Sequence, residues 1–250
     1  MKVKDYLNII EEFAPKALAF DWDNVGLMLG NPDMEVTSVV VAMDLTFKVL
    51  EEAKKKGANL IVTHHPVIFH PVGTLREDDF NGKILSEAIR RGVAVISAHT
   101  NLDLAPDGVN FNLAKALGLE NIQLHSDGFH YYGDLAVPVT AVEMWKNVEK
   151  LLDTKCRCLY NKGADYKVKR VGVSCGAFDD EVKWLRDCGV DVLVTGEAKH
   201  SGVLELSHED FTVILAGHYA TEMPGLRVLA GILPGKVTLF EEKTGDGLLV

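Results

Sequence analysis

No stretch of the 250-residue chain approaches the roughly 20 consecutive apolar residues that a membrane span requires. The N-terminal run from Met1 to Pro15 interrupts its apolar residues with Lys2, Lys4, Asp5, Glu11 and Glu12, so it predicts an amphipathic helix rather than a signal peptide. Only four cysteines occur, Cys156, Cys158, Cys175 and Cys188. None forms a C-x-x-C pair, which argues against a disulfide framework or a structural zinc knuckle and places the chain in a reducing cytoplasm. Cys156-Arg-Cys158 reads as a half-buried strand, because no further cysteine or histidine lies near it. Long basic runs are missing as well. The formal net charge of −10 repels a polyphosphate backbone, so nucleic-acid binding would need a local patch that the sequence does not display. The glycines of Asn24-Val-Gly-Leu-Met-Leu-Gly30 do not make a phosphate loop, since no lysine follows and no clear strand precedes.

What is present is the makeup of an ordinary globular protein, 47% hydrophobic and 25% charged, long enough for one large domain or two compact lobes. Short β-branched runs alternate with helical-period segments, the pattern of βα units in a largely parallel sheet. Strands are predicted at Val36–Met43, Asn59–Thr63, Val93–Ser97, Arg170–Cys175, Asp191–Thr195 and Phe211–Leu215. Helices are predicted at Thr46–Lys56, Gly82–Arg91, Asp107–Leu117, Asp179–Asp187 and Ala220–Ala230. Between Gly133 and Tyr160 the pattern allows a strand over Asp134–Pro138, a helix over Val142–Leu152 and a strand around Cys158. The polar, glycine-containing segment His125–Tyr132 reads as a connection, which sets the expected lobes at 1–124 and 125–250.

An internal repeat ties the lobes together. Val39–Thr63 aligns without a gap on Val171–Thr195, matching Val39 with Val171, Val41 with Val173, Gly57 with Gly189, Val62 with Val194 and Thr63 with Thr195. The next strand of each half ends in a His-x-x-x-acid run, His99 to Asp103 in the first and His218 to Glu222 in the second. The matched positions fall at strand ends, where α/β folds place their sites. The expected architecture is two similar βα lobes facing across a metal-containing cleft.

Those strand ends collect metal-type residues. His64-His65 follows the apolar strand Leu60–Thr63 and precedes Pro66, which ends the strand abruptly. Neighbouring side chains of a regular strand point to opposite faces. Two adjacent histidines therefore serve one cluster only if the strand has ended, or each takes a different ion of a pair. Imidazole and carboxylate together suit zinc, iron, manganese or nickel better than calcium or magnesium. His218 and Glu222, four apart at the start of a helix, share one face. A lone pair at this spacing is ordinarily a helix-surface arrangement; the combination of several at strand ends is what points to a site. His70, His125, His130 and His208 lie in connections or on surfaces and read as structural.

Five motifs in order, Trp22-Asp23-Asn24-x-Gly-Leu, Thr63-His64-His65-Pro66, Ser97-Ala98-His99-Thr100-Asn101-Leu102-Asp103, Gly196-Glu197-x-x-His200 and Gly217-His218-Tyr219-x-Thr221-Glu222, span nearly the whole chain. Together they resemble the Nif-three-like (YbgI-type) dinuclear metal proteins, in the short form without an inserted middle domain. The resemblance implies that His64, His65, Asp103, His218 and Glu222 ligate two divalent ions, with Glu222 or Asp103 bridging, and that His99, Glu197 and His200 line the same cleft. It further implies a toroidal homohexamer built from three dimers and a relationship to a type 2 GTP cyclohydrolase I. On that reading the chain is a metal-dependent hydrolase opening the imidazole ring of GTP with release of formate, with Glu197 or His200 as the proton shuttle. The different-class alternative is a non-catalytic metal-binding ring protein that recruits partners, nucleic acid among them.

Overall fold

The computed structural model describes residues 1–178 and 182–241. In chain order the elements are α1 (Val3–Phe13), β1 (Gly26–Leu29), β2 (Val39–Ala42), α2 (Phe47–Lys56), β3 (Leu60–Thr63), α3 (Phe80–Arg90), β4 (Ala94–Ser97), α4 (Thr100–Asp103), α5 (Val109–Ala116), β5 (Glu120–Leu124), β6 (Tyr131–Thr140), α6 (Ala141–Leu152), β7 (Arg157–Leu159), β8 (Lys167–Phe178), α7 (Lys183–Asp187), β9 (Val192–Ala198), α8 (His200–Leu206), β10 (Thr212–Leu215), α9 (His218–Ile232) and β11 (Val237–Leu239). Among the described residues, 1–108 and 226–241 form one compact unit and 109–225 the other. The first three residues of the predicted helix Asp179–Asp187 and the last nine of the expected second lobe lie outside the described residues. No described helix is long and apolar enough to cross a membrane.

The first unit holds a five-stranded sheet in the order β1-β4-β3-β2-β11. β2, β3, β4 and β11 run parallel, and β1 closes the edge antiparallel to β4. Every residue of Val39–Ala42, Leu60–Thr63 and Ala94–Ser97 is buried, as continuous β-branched runs in a doubly covered parallel sheet should be. On one side Val40, Ile61 and Val95 meet Val49, Leu50 and Ala53 of α2 and Ile84, Leu85 and Ala88 of α3. Side-chain caps set the helix starts. The Thr46 hydroxyl accepts from the Val49 amide at 3.2 Å, and the Asp79 carboxylate accepts from Gly82 N at 2.7 Å, starting α3 two residues ahead of its predicted onset. Each cap contributes about 1 kcal/mol. Gly57, at φ 61°, ends α2 in the left-handed conformation.

The second unit holds a mixed six-stranded sheet, β5-β6-β8-β9-β10-β7. β8, β9 and β10 are parallel; β5, β6 and β7 run antiparallel to their neighbours. Phe178, Trp184, Leu185, Leu193, Phe211 and Val213 pack into its core. A reciprocal cap, Thr140 with Glu143, starts α6, while α5 packs on β5, β6 and β8.

The repeat seen in the sequence is carried by hydrogen-bond register. Val39 pairs with Leu60 in the first sheet and Val171 with Val192 in the second, and the run closes on Ala42 with Thr63 and Ser174 with Thr195. The third strand follows suit: Thr63 opposes Ser97 in one unit, and Thr195 opposes Leu215 in the other. His64 and His99 are thereby left just beyond the carboxyl ends of β3 and β4, and His218 just beyond that of β10.

Candidate metal centre

In the first unit the strand ends bring three imidazoles together. β3 ends at Thr63, although the backbone still bonds to the neighbouring segment through His64 N to Ala42 O at 3.2 Å and His65 N to Met43 O at 3.0 Å. Past that end the alternation breaks. The His64 and His65 rings lie 5.1 Å apart, and the His99 ring stands 5.3 and 5.6 Å from them. One ligand atom from each of the three falls within 4.8 Å of the others. His64 is buried, His65 and His99 partly so. Asp103, on α4, approaches through Oδ1, 3.5 Å from His64 Nε2. Asp103 is itself buried.

Each ring is aimed by an oxygen on its Nδ1. His64 Nδ1 donates to the Ala98 carbonyl at 2.8 Å, His65 Nδ1 to Asp44 Oδ1 at 2.7 Å and His99 Nδ1 to Asp23 Oδ1 at 2.9 Å. Asp23 also accepts from the Thr100 amide and hydroxyl. Burial raises its carboxyl, but these hydrogen bonds outweigh it and hold Asp23 down at about 2.

The second unit supplies a histidine–carboxylate pair at the start of α9. His218 Nδ1 donates to Glu197 Oε1 at 2.9 Å, and Nε2 lies 3.0 Å from Glu222 Oε1. Glycine makes room for them. A Cβ on Gly176, where φ is +65°, would stand 2.5 Å from Glu222 Oε1 and 3.2 Å from His218 Nε2. One on Gly196 would stand 2.3 Å from the Gly176 carbonyl oxygen and 2.8 Å from His218 Cα. Thr221 closes the turn, its hydroxyl bonded by the Gly176 amide at 3.1 Å.

These donors fit a transition-type metal. Histidine ligands present one ring nitrogen while the other donates to a carboxylate or a carbonyl, an arrangement all four rings show. Two ligand atoms about 2.1 Å from one ion sit roughly 3.0–3.4 Å apart. The His218 Nε2–Glu222 Oε1 and His64 Nε2–Asp103 Oδ1 separations of 3.0 and 3.5 Å are close to that spacing.

His200 is placed differently: it opens α8, exposed, and makes no side-chain hydrogen bond among the described residues. Glu197 sits on His218. His70 and His208 are exposed, while His125 and His130 both donate Nδ1 to Asp127 Oδ2 at 2.7 Å, organising the β5–β6 connection. Sequence reasoning passed over Asp44, Asp23 as a carboxylate partner, and Gly176. Asp44 carried a usable signal, since it stands just beyond β2 beside β3, at the same carboxyl edge as the histidines.

A profile of the Duf34/NIF3 (NGG1p interacting factor 3) family matches residues 1–243. A Clostridium acetobutylicum protein named GTP cyclohydrolase 1 type 2 homolog is 34% identical over 244 residues, 94% of this chain and 90% of its own. The Clostridium perfringens protein of the same name is 30% identical over 233 residues, 90% and 88% of the two chains. Among solved structures, the Staphylococcus aureus hypothetical protein SA1388 superposes with a TM-score of 0.90 at 27% identity over 98% of both chains. With strand ends rich in histidine and carboxylate, and a profile spanning nearly its full length, the chain belongs to the Duf34/NIF3 family.

Proposed function

We propose that this protein is a metal-dependent hydrolase that holds two divalent ions per chain through His64, His65, Asp103, His218 and Glu222 and acts on a nucleotide. The observation that carries this reading is the fixing of the ring Nδ1 atoms of His64, His65 and His218 by Ala98 O, Asp44 and Glu197, which leaves Nε2 as the ligating nitrogen in each. When bound, such ions lower the pKa of water and polarise the group it attacks. The chain's own residues do the rest. Asp44 holds the imidazole of His65, and Gly176 leaves the space in which Glu222 lies beside His218. Asp103 and Glu222, each with two carboxylate oxygens to offer, would help to hold the ions. Glu197 or His200 carries the proton shuttle, Glu197 through the carboxylate that also orients His218.

The name carried by the Clostridium relatives supports GTP as the substrate. The reaction adds one water at C8 to open the imidazole ring and a second to release that carbon as formate. Six copies in a ring, in a reducing cytoplasm, complete the reading. None of the four cysteines forms a disulfide among the described residues. Burial pushes the Cys156 thiol up to about 12 and Cys158 to about 11, so both stay protonated and unreactive.

The test is metal analysis of protein purified without chelator, joined to a formate assay with GTP. Close to two ions per chain are expected, falling to near none when His64→Ala and His218→Ala are combined. A folded double variant with full metal content would refute the ligand set. Intact metal without formate release would refute the hydrolase reading and leave a binding protein.

A further inference from the structure

We infer that Trp22, with Phe20 and Phe69, forms a stacking platform for a planar heteroaromatic ring, a purine base, beside the imidazoles of His64, His65 and His99. The choice of a nucleobase rests on the hydrolase reading above, which the platform deepens by assigning the part of the substrate that is held.

Trp22 is 60% exposed, Phe20 41% and Phe69 40%. Single exposed apolar side chains are ordinary, but a contiguous set of three aromatic rings is not. Trp22 is the hub. Phe20 stacks on it at 5.5 Å and 26°, and Phe69 leans against it at 5.8 Å and 58°. His99 stands edge-on to Trp22 and Phe69, at 6.3 and 6.1 Å. Since His99 also lies 5.3 Å from His64 and 5.6 Å from His65, an unbroken row of rings leads from solvent to the buried imidazole.

The turn that carries Trp22 is bolted down on both sides. Phe20 N donates to the Thr100 hydroxyl at 3.1 Å, and the Asp23 carboxylate accepts from Thr100 N at 3.0 Å and from His99 Nδ1 at 2.9 Å. On the other side the Asn24 side chain donates through Nδ2 to the Ile68 carbonyl at 2.5 Å, tying the turn to the segment that bears Phe69. The backbone that carries the exposed indole is thus held in place on both sides, so less ordering remains to oppose binding. An occupant must offer a flat face to Trp22 and a polar edge to the histidines. A purine does both, whereas an aliphatic side chain from a second copy of the chain offers neither. Aromatic faces accept any base, because every base has a π-face.

Trp22 is the most exposed of the three tryptophans, Trp145 being half-buried and Trp184 buried, so it reports on occupancy. The metal-loaded protein is titrated with guanosine, and with ribose 5-phosphate as the non-aromatic control, by tryptophan fluorescence and calorimetry. Guanosine should bind and quench; ribose 5-phosphate should do neither. Trp22→Leu should weaken guanosine roughly 5- to 150-fold, the range expected for one lost base–aromatic stack, with metal content unchanged, and Trp22→Phe should keep most of the affinity. If guanosine binding depends on Trp22 but GTP yields no formate, the hydrolase reading falls and the platform stands. Equal affinity in wild type and Trp22→Leu overturns the platform even where formate is released. So does a wild type that ignores guanosine while Trp22→Leu changes the oligomer size by light scattering, which would make the face an interface between copies.

Discussion

At His65 the carboxylate of Asp44 lies 2.7 Å from Nδ1, on the far side of the ring from the nitrogen that would hold a metal. A hydrogen bond in that position fixes the tautomer, aims the ring and raises its basicity. Asp44→Ala should therefore lower metal affinity roughly 10- to 100-fold, while Asp44→Asn, which keeps an accepting oxygen, should lose less. The Asp44 side chain is 38% exposed, so neither change should unfold the protein. Competitive zinc titration of the apo variants measures this, and an Asp44→Ala protein with wild-type affinity would rule out the orienting role. The candidate ligands and the carboxylates that orient them were unequally legible. His64, His65, His218 and Glu222 advertise themselves by residue type next to apolar strands. Asp44 and Asp23 do not, because a carboxylate near a turn is common and their histidine partners stand 21 and 76 residues away.

Elements were legible in proportion to how much each buries. The all-buried runs of β2, β3 and β4 announce themselves, and the repeat extends the reading to β8 and β9. β5 does not, because Glu120–Leu124 is almost wholly exposed; nor does the three-residue β11, whose pattern is indistinguishable from a loop. His200–Leu206 hides behind Gly202. Within the second unit, two glycines at the carboxyl edge of the sheet should separate stability from binding. Gly196→Ala places its Cβ against backbone at 2.3 and 2.8 Å that has nowhere to move, and overpacking of this kind costs about 1–3 kcal/mol. Gly176→Ala incurs about 1–2 kcal/mol for a left-handed conformation, and also drives its Cβ into the carboxylate of Glu222. Urea unfolding should show both variants destabilised, whereas Gly176→Ala should in addition lose metal affinity beyond what its stability predicts. Wild-type metal binding by a folded Gly176→Ala would show that the cradle around Glu222 is not needed.

Across the whole molecule the chain does not simply run through one unit and then the other. Residues 226–241 return to the first unit, where β11 pairs with β2. A repeat search compares segments along the chain and carries no information about such a return, whereas parallel pairing of Val237 with Val39 joins residues 198 apart. The candidate ligands are likewise distributed, His64, His65 and Asp103 among residues 1–108 and His218 and Glu222 among 109–225. Ions held by such a set bind the folded state and not the unfolded one, so they stabilise by an amount that grows with the logarithm of free metal over Kd, about 2.7 kcal/mol at a hundredfold excess. For a chain of this length each kcal/mol moves Tm by about 2–4 °C, so chelation should lower it by roughly 5–10 °C for each ion lost. With two compact units a single two-state transition is not assumed, and every transition whose unit holds ligands should move. Calorimetry before and after removal of metal, with zinc or manganese added back, reads the shift; the combined His64→Ala and His218→Ala protein should show none. If metal content falls to zero and every transition stays where it was, the ions are not bound by these residues. A shift confined to one of two transitions would confine the ligands to that unit.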